Sequence, residues 1–246
     1  MTAPELQARL ATLPRADGSA TYSHGGYTVT ASANGPIEAQ RRDEDPDAAN
    51  IDVVVRPAAG VGGPSERNHE LILQKTLQDI VLVQEFPRCT IQVVLQIQSA
   101  PENDYANTKL NQPGLAAVLA LLSASIPMRT IATAAAVAIM PGSIISSPSP
   151  RDAAAAQSLH VFAFSGQDDK LLLAESEGAF TMEEWDNART TAGKICCGLR
   201  AGISGSSDKA LDEEHGTEAT VSMHDFVRST VVHRAEDVLQ WKLDRK

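Results

Sequence analysis

A glycine-rich segment is the first place in this sequence where chemistry could occur. Residues 60–63 are Gly-Val-Gly-Gly, between a strand-like run and a helix-like pattern, where backbone N–H groups can hold a phosphate. The dinucleotide-binding pattern fails because Pro64 interrupts it and Ser65 stands where glycine is needed, and no Gly-Lys-Ser/Thr occurs. We interpret the segment as a flexible connection and keep a small-molecule or dinucleotide-binding α/β enzyme as an alternative.

The other reactive side chains are also poorly spaced for catalysis. The six histidines show no His-x-x-x-His spacing and the three cysteines form no Cys-x-x-Cys, so we predict no metal site, no cofactor and no disulfide. Asp168 and Asp169 could be paired carboxylates, but residues 166–170 have the composition of a turn between two strands. No Gly-x-Ser-x-Gly occurs, which argues against a serine hydrolase. Spacing alone predicts no catalytic residue.

Composition and charge narrow the class of protein. The chain has 246 residues, of which 43% are hydrophobic and 21% charged, as is typical of a globular protein with a sizeable core. Apolar stretches such as 131–140 are shorter than the ~20 residues of a membrane span, and no secretory signal is visible, so we expect a soluble intracellular protein. The net charge of −10 argues against a high-affinity nucleic-acid binder acting alone, because binding phosphates needs a basic surplus. RNA contact would require a small basic surface or a larger assembly.

Hydrophobic periodicity predicts the elements that must position any site. We predict strands at Thr21–Ala33, Ile51–Arg56, Cys89–Gln98, Thr130–Met140, Ser158–Ser165 and Lys170–Ser176. Helices are predicted from Ser65 as N-cap over 65–84, over Leu115–Ser125, after a capping box at Thr181, and from about Met223. The charged segment 38–47 and the polar segments 99–114 and 141–156 are interpreted as loops.

The order of these elements predicts an α+β fold of two similar βα halves that share one core. One strand face of 130–140 is almost entirely alanine, which lets a helix lie close against the sheet. The repeated arrangement favours one domain over residues 15–201, preceded by an amphipathic lead-in over 1–14. A flexible acidic Ser/Gly linker over 202–221 then leads to a C-terminal helix over 222–246 that packs on the domain.

Four short motifs occur in order within residues 13–200, the last of them at 126–129. Residues 14–20 are Pro-Arg-Ala-Asp-Gly-Ser-Ala, and residues 27–38 form a hairpin segment with Gly-Pro near its end. Phe-Pro-Arg at 86–88 precedes a central strand, and Ile-Pro-Met-Arg stands at 126–129. Together they resemble the RNase PH-type subunits of the RNA exosome. Each retained motif also has a structural interpretation as a turn, a hairpin end or a helix cap.

The resemblance implies an RNase PH-like fold and membership of a heteromeric ring of six such domains. Such a ring is capped by RNA-binding subunits and threads RNA through its channel to a separate, associated nuclease. The resemblance also implies a role in RNA processing and decay, a location in the nucleus, nucleolus and cytoplasm, and no membrane partner.

The sequence departs from the family where active members carry their charges. Ser19 replaces the arginine after Arg-x-Asp-Gly, and residues 99–104, Ser-Ala-Pro-Glu-Asn-Asp, replace a Gly-Gly-Thr-Arg type phosphate loop. Residues 146–148, Ser-Ser-Pro, replace Leu-Asp-Pro and so lose its carboxylate. Because phosphorolysis brings an anion to an anionic diester, fixed positive charge is required. We therefore predict a non-catalytic structural subunit without catalytic residues; an active phosphate-dependent 3′–5′ exoribonuclease is the alternative.

Two arginines are the candidate RNA contacts. Arg67 stands near the start of the helix at 65–84, where the resemblance places clustered RNA-facing arginines but this chain has Arg-Asn-His at 67–69. Arg88 is the second candidate, although a Pro-Arg strand entry also serves structure. With 4% aromatic residues, stacking on bases is unfavoured, so we expect contacts to the RNA backbone that are blind to sequence.

Overall fold

Two β-sheets with a helix between them form the centre of the molecule. The computed structural model describes residues 6–100, 108–140, 142–198 and 222–243. The first sheet has the strand order β1-β2-β3-β5-β4 and the second has the order β7-β6-β8-β9. The strands are β1 (Gln7–Leu10), β2 (Gly18–His24), β3 (Tyr27–Glu38), β4 (Asn50–Arg56), β5 (Cys89–Ser99), β6 (Ala132–Met140), β7 (Ser143–Ser146), β8 (Ser158–Ser165) and β9 (Leu171–Gly178). The helices are α1 (Pro64–Ile80), α2 (Thr108–Ser123), α3 (Pro150–Ala155), α4 (Met182–Cys197) and α5 (Met223–Leu243).

Alternating side chains give the first sheet one dry face and one wetter face. Along β5, Ile91, Val93, Leu95 and Ile97 are all buried, and the residues between them are partly exposed. β4 pairs with β5 in parallel, and the other strand pairs in both sheets are antiparallel. The strand predicted at 89–98 is confirmed.

Helix α2 is buried because it lies between the two sheets. Its residues 115–121 are each at most 2% exposed, and it contacts strands of both sheets. Ala132 and Ala134 of β6 line a small cavity together with Leu115 and Val118 of α2, and the opposite face of β6 packs on α4. The alanine face therefore allows the close approach that the sequence predicts. The α+β fold with two halves around a shared core is confirmed.

The predictions for the N-terminal region need correction. The lead-in contains a strand, β1, which pairs with β2. The predicted strand Thr21–Ala33 is two strands, because Gly25 and Gly26 adopt φ angles of 60° and 87° and close a hairpin that few other residues tolerate. β3 also continues past Gly35-Pro36 to Glu38, through a register shift against β5.

Three further boundaries differ from the predictions. The N-cap of α1 is Gly63 rather than Ser65, since Glu66 accepts a hydrogen bond from the Gly63 N–H at 2.8 Å. α2 begins at Thr108, within a segment predicted as loop, and the predicted loop 141–156 contains β7 and α3. The whole predicted linker 202–221 lies outside the described residues, and the domain bounds stay a prediction. No helix in the described ranges is both long and apolar enough to cross a membrane.

Candidate nucleic-acid interface

Arg67 is a weakly held cation in the first turn of α1. Its side chain is 84% exposed, and its Nη1 lies 4.0 Å from Glu70 Oε2, at the outer limit of an ion pair. Glu70 is itself engaged, because its Oε1 accepts a hydrogen bond from the Val55 N–H at 2.9 Å. An exposed pair of this kind contributes about 0–1 kcal/mol, so the guanidinium can exchange Glu70 for another anion at little cost.

Arg88 is tied into the fold through its backbone. Its N–H donates to Asp45 O at 2.9 Å, and its carbonyl accepts from the Ala39 N–H at 3.0 Å. The side-chain Nε lies 3.4 Å from Glu44 Oε1. These contacts hold the acidic segment 38–47 against the start of β5, so the geometry favours a structural role for Arg88.

The structure does not bring the two arginines together. β4 and β5 run parallel, with Asn50 opposite Thr90 at one end and Arg56 opposite Gln96 at the other. Arg88 precedes the first pair, whereas α1 follows the last one. Six residues of strand separate those pairs by about 20 Å. Arg67 and Arg88 therefore cannot contact one phosphate, and they are separate candidates.

The N-terminal part of α2 lies at the same end of the first sheet as Arg67. Ser99, the last residue of β5, donates through its Oγ to Gly26 O at 3.3 Å, and Gln112 of α2 donates through Nε2 to His24 O at 3.1 Å. Burial lowers the pKa of His24 below 6.5. The N-termini of α1 and α2 thus lie at one end of the sheet, where the positive ends of the helix dipoles favour anions. Of residues 99–104, which the sequence predicts to replace a phosphate loop, 101–104 lie outside the described residues.

Ser147 is the residue that the sequence predicts in place of a family carboxylate. It lies in an exposed turn after β7 with a φ of 53°, and its N–H donates to Ala136 O at 3.0 Å. The next carboxylate along the chain, Asp152, is 2.6 Å from Ser149 Oγ through Oδ2. Hydrogen bonds from Ser149 lower the pKa of Asp152, so this carboxylate is committed to capping α3.

Ser19 is likewise used within the fold. It is 1% exposed, and its Oγ accepts a hydrogen bond from the Leu13 N–H at 2.9 Å. Its carbonyl accepts from the Ala11 N–H at 2.8 Å. These bonds join the ends of β1 and β2 and place no charge at this position.

The other acidic and glycine-rich candidates are structural. Asp168 forms an ion pair with Lys170 at 3.0 Å, and Asp169 takes a φ of 51° in the turn between β8 and β9, so the turn interpretation is confirmed. Residues 60–63 are mostly exposed and lead into α1. Within the described ranges, no three His, Cys, Asp or Glu side chains are grouped closely enough to hold a metal ion.

A buried histidine is the feature that sequence reasoning missed. His160 on β8 is fully buried, and its ring nitrogens lie 2.9 Å from Ser158 Oγ and 2.8 Å from Ser176 Oγ. Phe162 stacks on the ring and Phe180 meets it edge-on. Burial lowers the pKa of His160, against a smaller opposite effect of Glu184. Ser158 and His160 stand two residues apart on one strand face, but the pairing of β8 with β9 was needed to find Ser176.

Comparison with known proteins identifies the fold. The RNase PH model, described as the 3′ exoribonuclease family, domain 1, matches residues 5–127. The chain belongs to the RNase PH family. It is 30% identical over 224 residues to the exosome complex exonuclease RRP46 homolog of Oryza sativa subsp. japonica, covering 91% of this chain and 89% of that protein. It is 34% identical over 123 residues to the exosome complex component rrp46 of Schizosaccharomyces pombe, covering 50% and 53%.

The architecture agrees with this membership of the RNase PH family. The crystal structure of rice Rrp46 superposes with a TM-score of 0.70 at 26% identity, covering 77% of this chain and 87% of that one. The sequence of residues 17–20 and of the hairpin after it also predicts a similarity to the exosome component called ribosomal RNA-processing protein 46. The rice and fission-yeast relatives confirm this prediction.

The retained RNase PH family motifs lie where the fold needs them. Asp17 Oδ2 accepts a hydrogen bond from the Gly35 N–H at 2.9 Å and so joins the first motif to the second. Gly18 packs so closely on α2 that a Cβ atom there would overlap the backbone of Ala120 and Ala124. The Arg129 N–H, in the fourth motif, donates to Ile80 O at 2.7 Å. These contacts give each retained motif a role in holding the fold together.

Proposed function

We propose that this chain is a non-catalytic structural subunit of an RNA exosome ring. It pairs with other RNase PH-like subunits in a six-membered ring with cap subunits. It thereby helps to form the channel that threads RNA to a separate 3′–5′ exoribonuclease for RNA processing and decay. The relatives of the RRP46 type support the exosome assignment.

The proposal that the chain is non-catalytic rests on the absence of a free carboxylate side chain at the Ser147 turn. The side chain is a hydroxyl, and the nearby carboxylate of Asp152 is held by Ser149 through hydrogen bonds at 2.6 and 3.1 Å. A general acid or metal ligand at this turn would need a free carboxylate. Ser19, the second replaced position, has its hydroxyl bonded within the fold.

The charge of the chain supports a passive role in guiding RNA. With a net charge of −10, the chain would repel an RNA strand in isolation. Arg67 is the candidate for a local phosphate contact, because it is 84% exposed and paired only at 4.0 Å. A subunit in a ring contributes such a contact to a surface that its neighbours complete. We place the assembled complex in the nucleus, nucleolus and cytoplasm, with no membrane partner.

The decisive experiment measures phosphorolytic activity and assembly with other subunits in the same preparation. The purified chain, alone and with its co-purifying RNase PH-like partners, is incubated with RNA and inorganic phosphate, and released nucleoside diphosphates are measured. We expect no release from the chain alone and recovery of the chain with other exosome subunits. A stable monomer that captures none of them would contradict the assembly proposal.

A matched variant tests the catalytic part separately. Ser147→Asp puts a carboxylate back at the turn, and aspartate tolerates the left-handed φ of this residue. We expect the variant to fold and to remain inactive, because the positive charges that stabilise the phosphates would still be missing. Each missing contact of that kind costs about 10²–10³ in rate.

The second candidate is an active phosphate-dependent 3′–5′ exoribonuclease of RNase PH type. The observation that favours it is the description of the matching family as 3′ exoribonucleases. Phosphate-dependent release of nucleoside diphosphates by the isolated wild-type chain would decide for this candidate. Phosphate-independent release would indicate a contaminating hydrolase instead.

A further inference from the structure

Two consecutive Ser-Pro dipeptides stand in the exposed segment between β7 and α3. They are Ser147-Pro148 and Ser149-Pro150, and no other serine or threonine of the chain precedes a proline. Both serines are exposed. A hydroxyl followed by proline on a surface segment is the substrate pattern of proline-directed protein kinases, but such an enzyme must also find the chain in an extended conformation.

The backbone distinguishes the two serines. Ser147 has a left-handed φ of 53°, its N–H is bonded to Ala136 O at 3.0 Å, and Pro148 is buried. Ser149 has φ −69° and ψ 161°, which is extended. Ser149 itself therefore has the extended backbone that a kinase cleft accepts, and the first turn of α3 after it must unwind. Ser147 is instead fixed in a turn by a hydrogen bond to β6.

Ser149 also holds α3 in place. Its Oγ donates to Asp152 Oδ2 at 2.6 Å and accepts from the Asp152 N–H at 3.3 Å, and its own N–H donates to Asp152 Oδ2 at 3.1 Å. α3 has six residues, too few to be stable without such contacts. Its apolar anchor is a small cluster in which Ala153 packs on Ala138 of β6 and Leu159 of β8.

We propose that Ser149 is a phosphorylation site for a proline-directed protein kinase, and that the phosphate releases α3 from the second sheet. The kinase transfers the γ-phosphoryl group of ATP to Ser149 Oγ. The P–O bond to ADP breaks, the new P–O bond to serine forms, and the hydroxyl proton leaves to the kinase base. The phosphate is then a dianion where Asp152 Oδ2 now accepts a hydrogen bond. Phosphorylation removes the proton that Ser149 Oγ donates to Asp152. The two anions then repel more strongly than the short helix α3 attracts the phosphate, so the capping box opens.

The test treats the full-length protein with a proline-directed kinase and ATP and locates the phosphate by mass spectrometry. We expect it on Ser149 in the wild type and in Ser147→Ala, and we expect none on the Ser-Pro segment in Ser149→Ala. A synthetic peptide of residues 143–156 serves as the positive control for the kinase. Phosphate on Ser147 in the folded protein, or none on Ser149 while the peptide is modified, would overturn the proposal.

Hydrogen exchange then measures the release of α3. In the phosphorylated wild type, the amides of residues 153–155 should exchange about five- to tenfold faster than in the unmodified protein, the size expected for the loss of a helix cap. Asp152→Asn removes the repelling charge, so phosphorylation should change exchange in that variant by less than about twofold. Unchanged or slower exchange in the phosphorylated wild type would show that α3 stays in place and would overturn the switch.

Discussion

Residues are held more firmly in the interior between the two sheets than on the surface where the strands of the first sheet end. Gly18 leaves no room for a Cβ atom against α2, and residues 115–121 of α2 are buried throughout. At that surface, Arg67 has an ion pair at 4.0 Å, and residues 60–62 before α1 are exposed. A substitution in the interior must therefore displace packed neighbours, whereas one at this surface breaks only weak contacts.

A cavity in the interior should have the largest effect. Leu119 on α2 is 0% exposed and lies within the main core. Leu119→Ala should lower the free energy of unfolding by about 2–5 kcal/mol, because it loses buried apolar surface and leaves a void. Urea unfolding followed by circular dichroism measures this change. A loss below about 1 kcal/mol would show that α2 is less tightly enclosed than described.

Adding a methyl group at Gly18 tests the packing of α2 by overfilling it rather than by leaving a void. Gly18→Ala should lower the free energy of unfolding by about 1–3 kcal/mol, because the new Cβ must push β2 and α2 apart. The matched control is Gly60→Ala in the loop before α1, where a Cβ would meet nothing within 4 Å and the cost comes from a φ of 83° alone. A loss at Gly18 no larger than the loss at Gly60 would show that β2 and α2 are less tightly packed there than described.

The sequence predicted most of the interior and less of the surface. The strand over Ser158–Ser165 and the capping box at Thr181 are confirmed because strict alternation and capping chemistry are local signals. The start of α2 was missed, since its first turns are polar and include Pro113, and packing between the sheets compensates for those residues. The separation of Arg67 from Arg88 depends on the parallel pairing of β4 with β5, which no local pattern contains.

Acid should weaken the second sheet through His160. Burial lowers its pKa in the folded state, so below about pH 6.5 the unfolded chain binds more protons than the folded one. The stability contributed by the neutral ring is therefore fully present above that pH. Below it, the free energy of unfolding falls as the pH drops, by at most about 1.4 kcal/mol per pH unit for one group. His24, whose pKa burial also lowers, adds a change of the same sign.

The variant His160→Gln separates the two histidines. A glutamine amide can still donate to one serine hydroxyl and accept from the other, but it does not titrate. Between pH 5 and pH 7.5, the urea midpoint should fall less with acid in this variant than in the wild type. In the double variant His24→Gln/His160→Gln, the midpoint should depend on pH even less. An unchanged slope in His160→Gln would show that His160 does not cause the acid sensitivity.

The smallest effect on stability, and the one that bears on function, is expected at Arg67. Arg67→Glu should change the free energy of unfolding by less than about 0.5 kcal/mol, because the side chain is 84% exposed and its pair with Glu70 is weak. In the assembled ring, the same variant should retain long RNA up to about fivefold less tightly, since one contact with a phosphate becomes a repulsion.

Salt dependence and a matched variant test whether the weaker RNA retention is caused by loss of a phosphate contact. The difference between Arg67→Glu and the wild type should shrink as salt rises and should be similar for unrelated RNA sequences, because backbone contacts carry no sequence information. Arg42→Glu makes the same charge change at a residue that is 89% exposed, in the acidic segment at the opposite end of the first sheet. An equal loss in both variants would reveal a general effect of net charge, and no loss in Arg67→Glu would leave this subunit with a purely structural role.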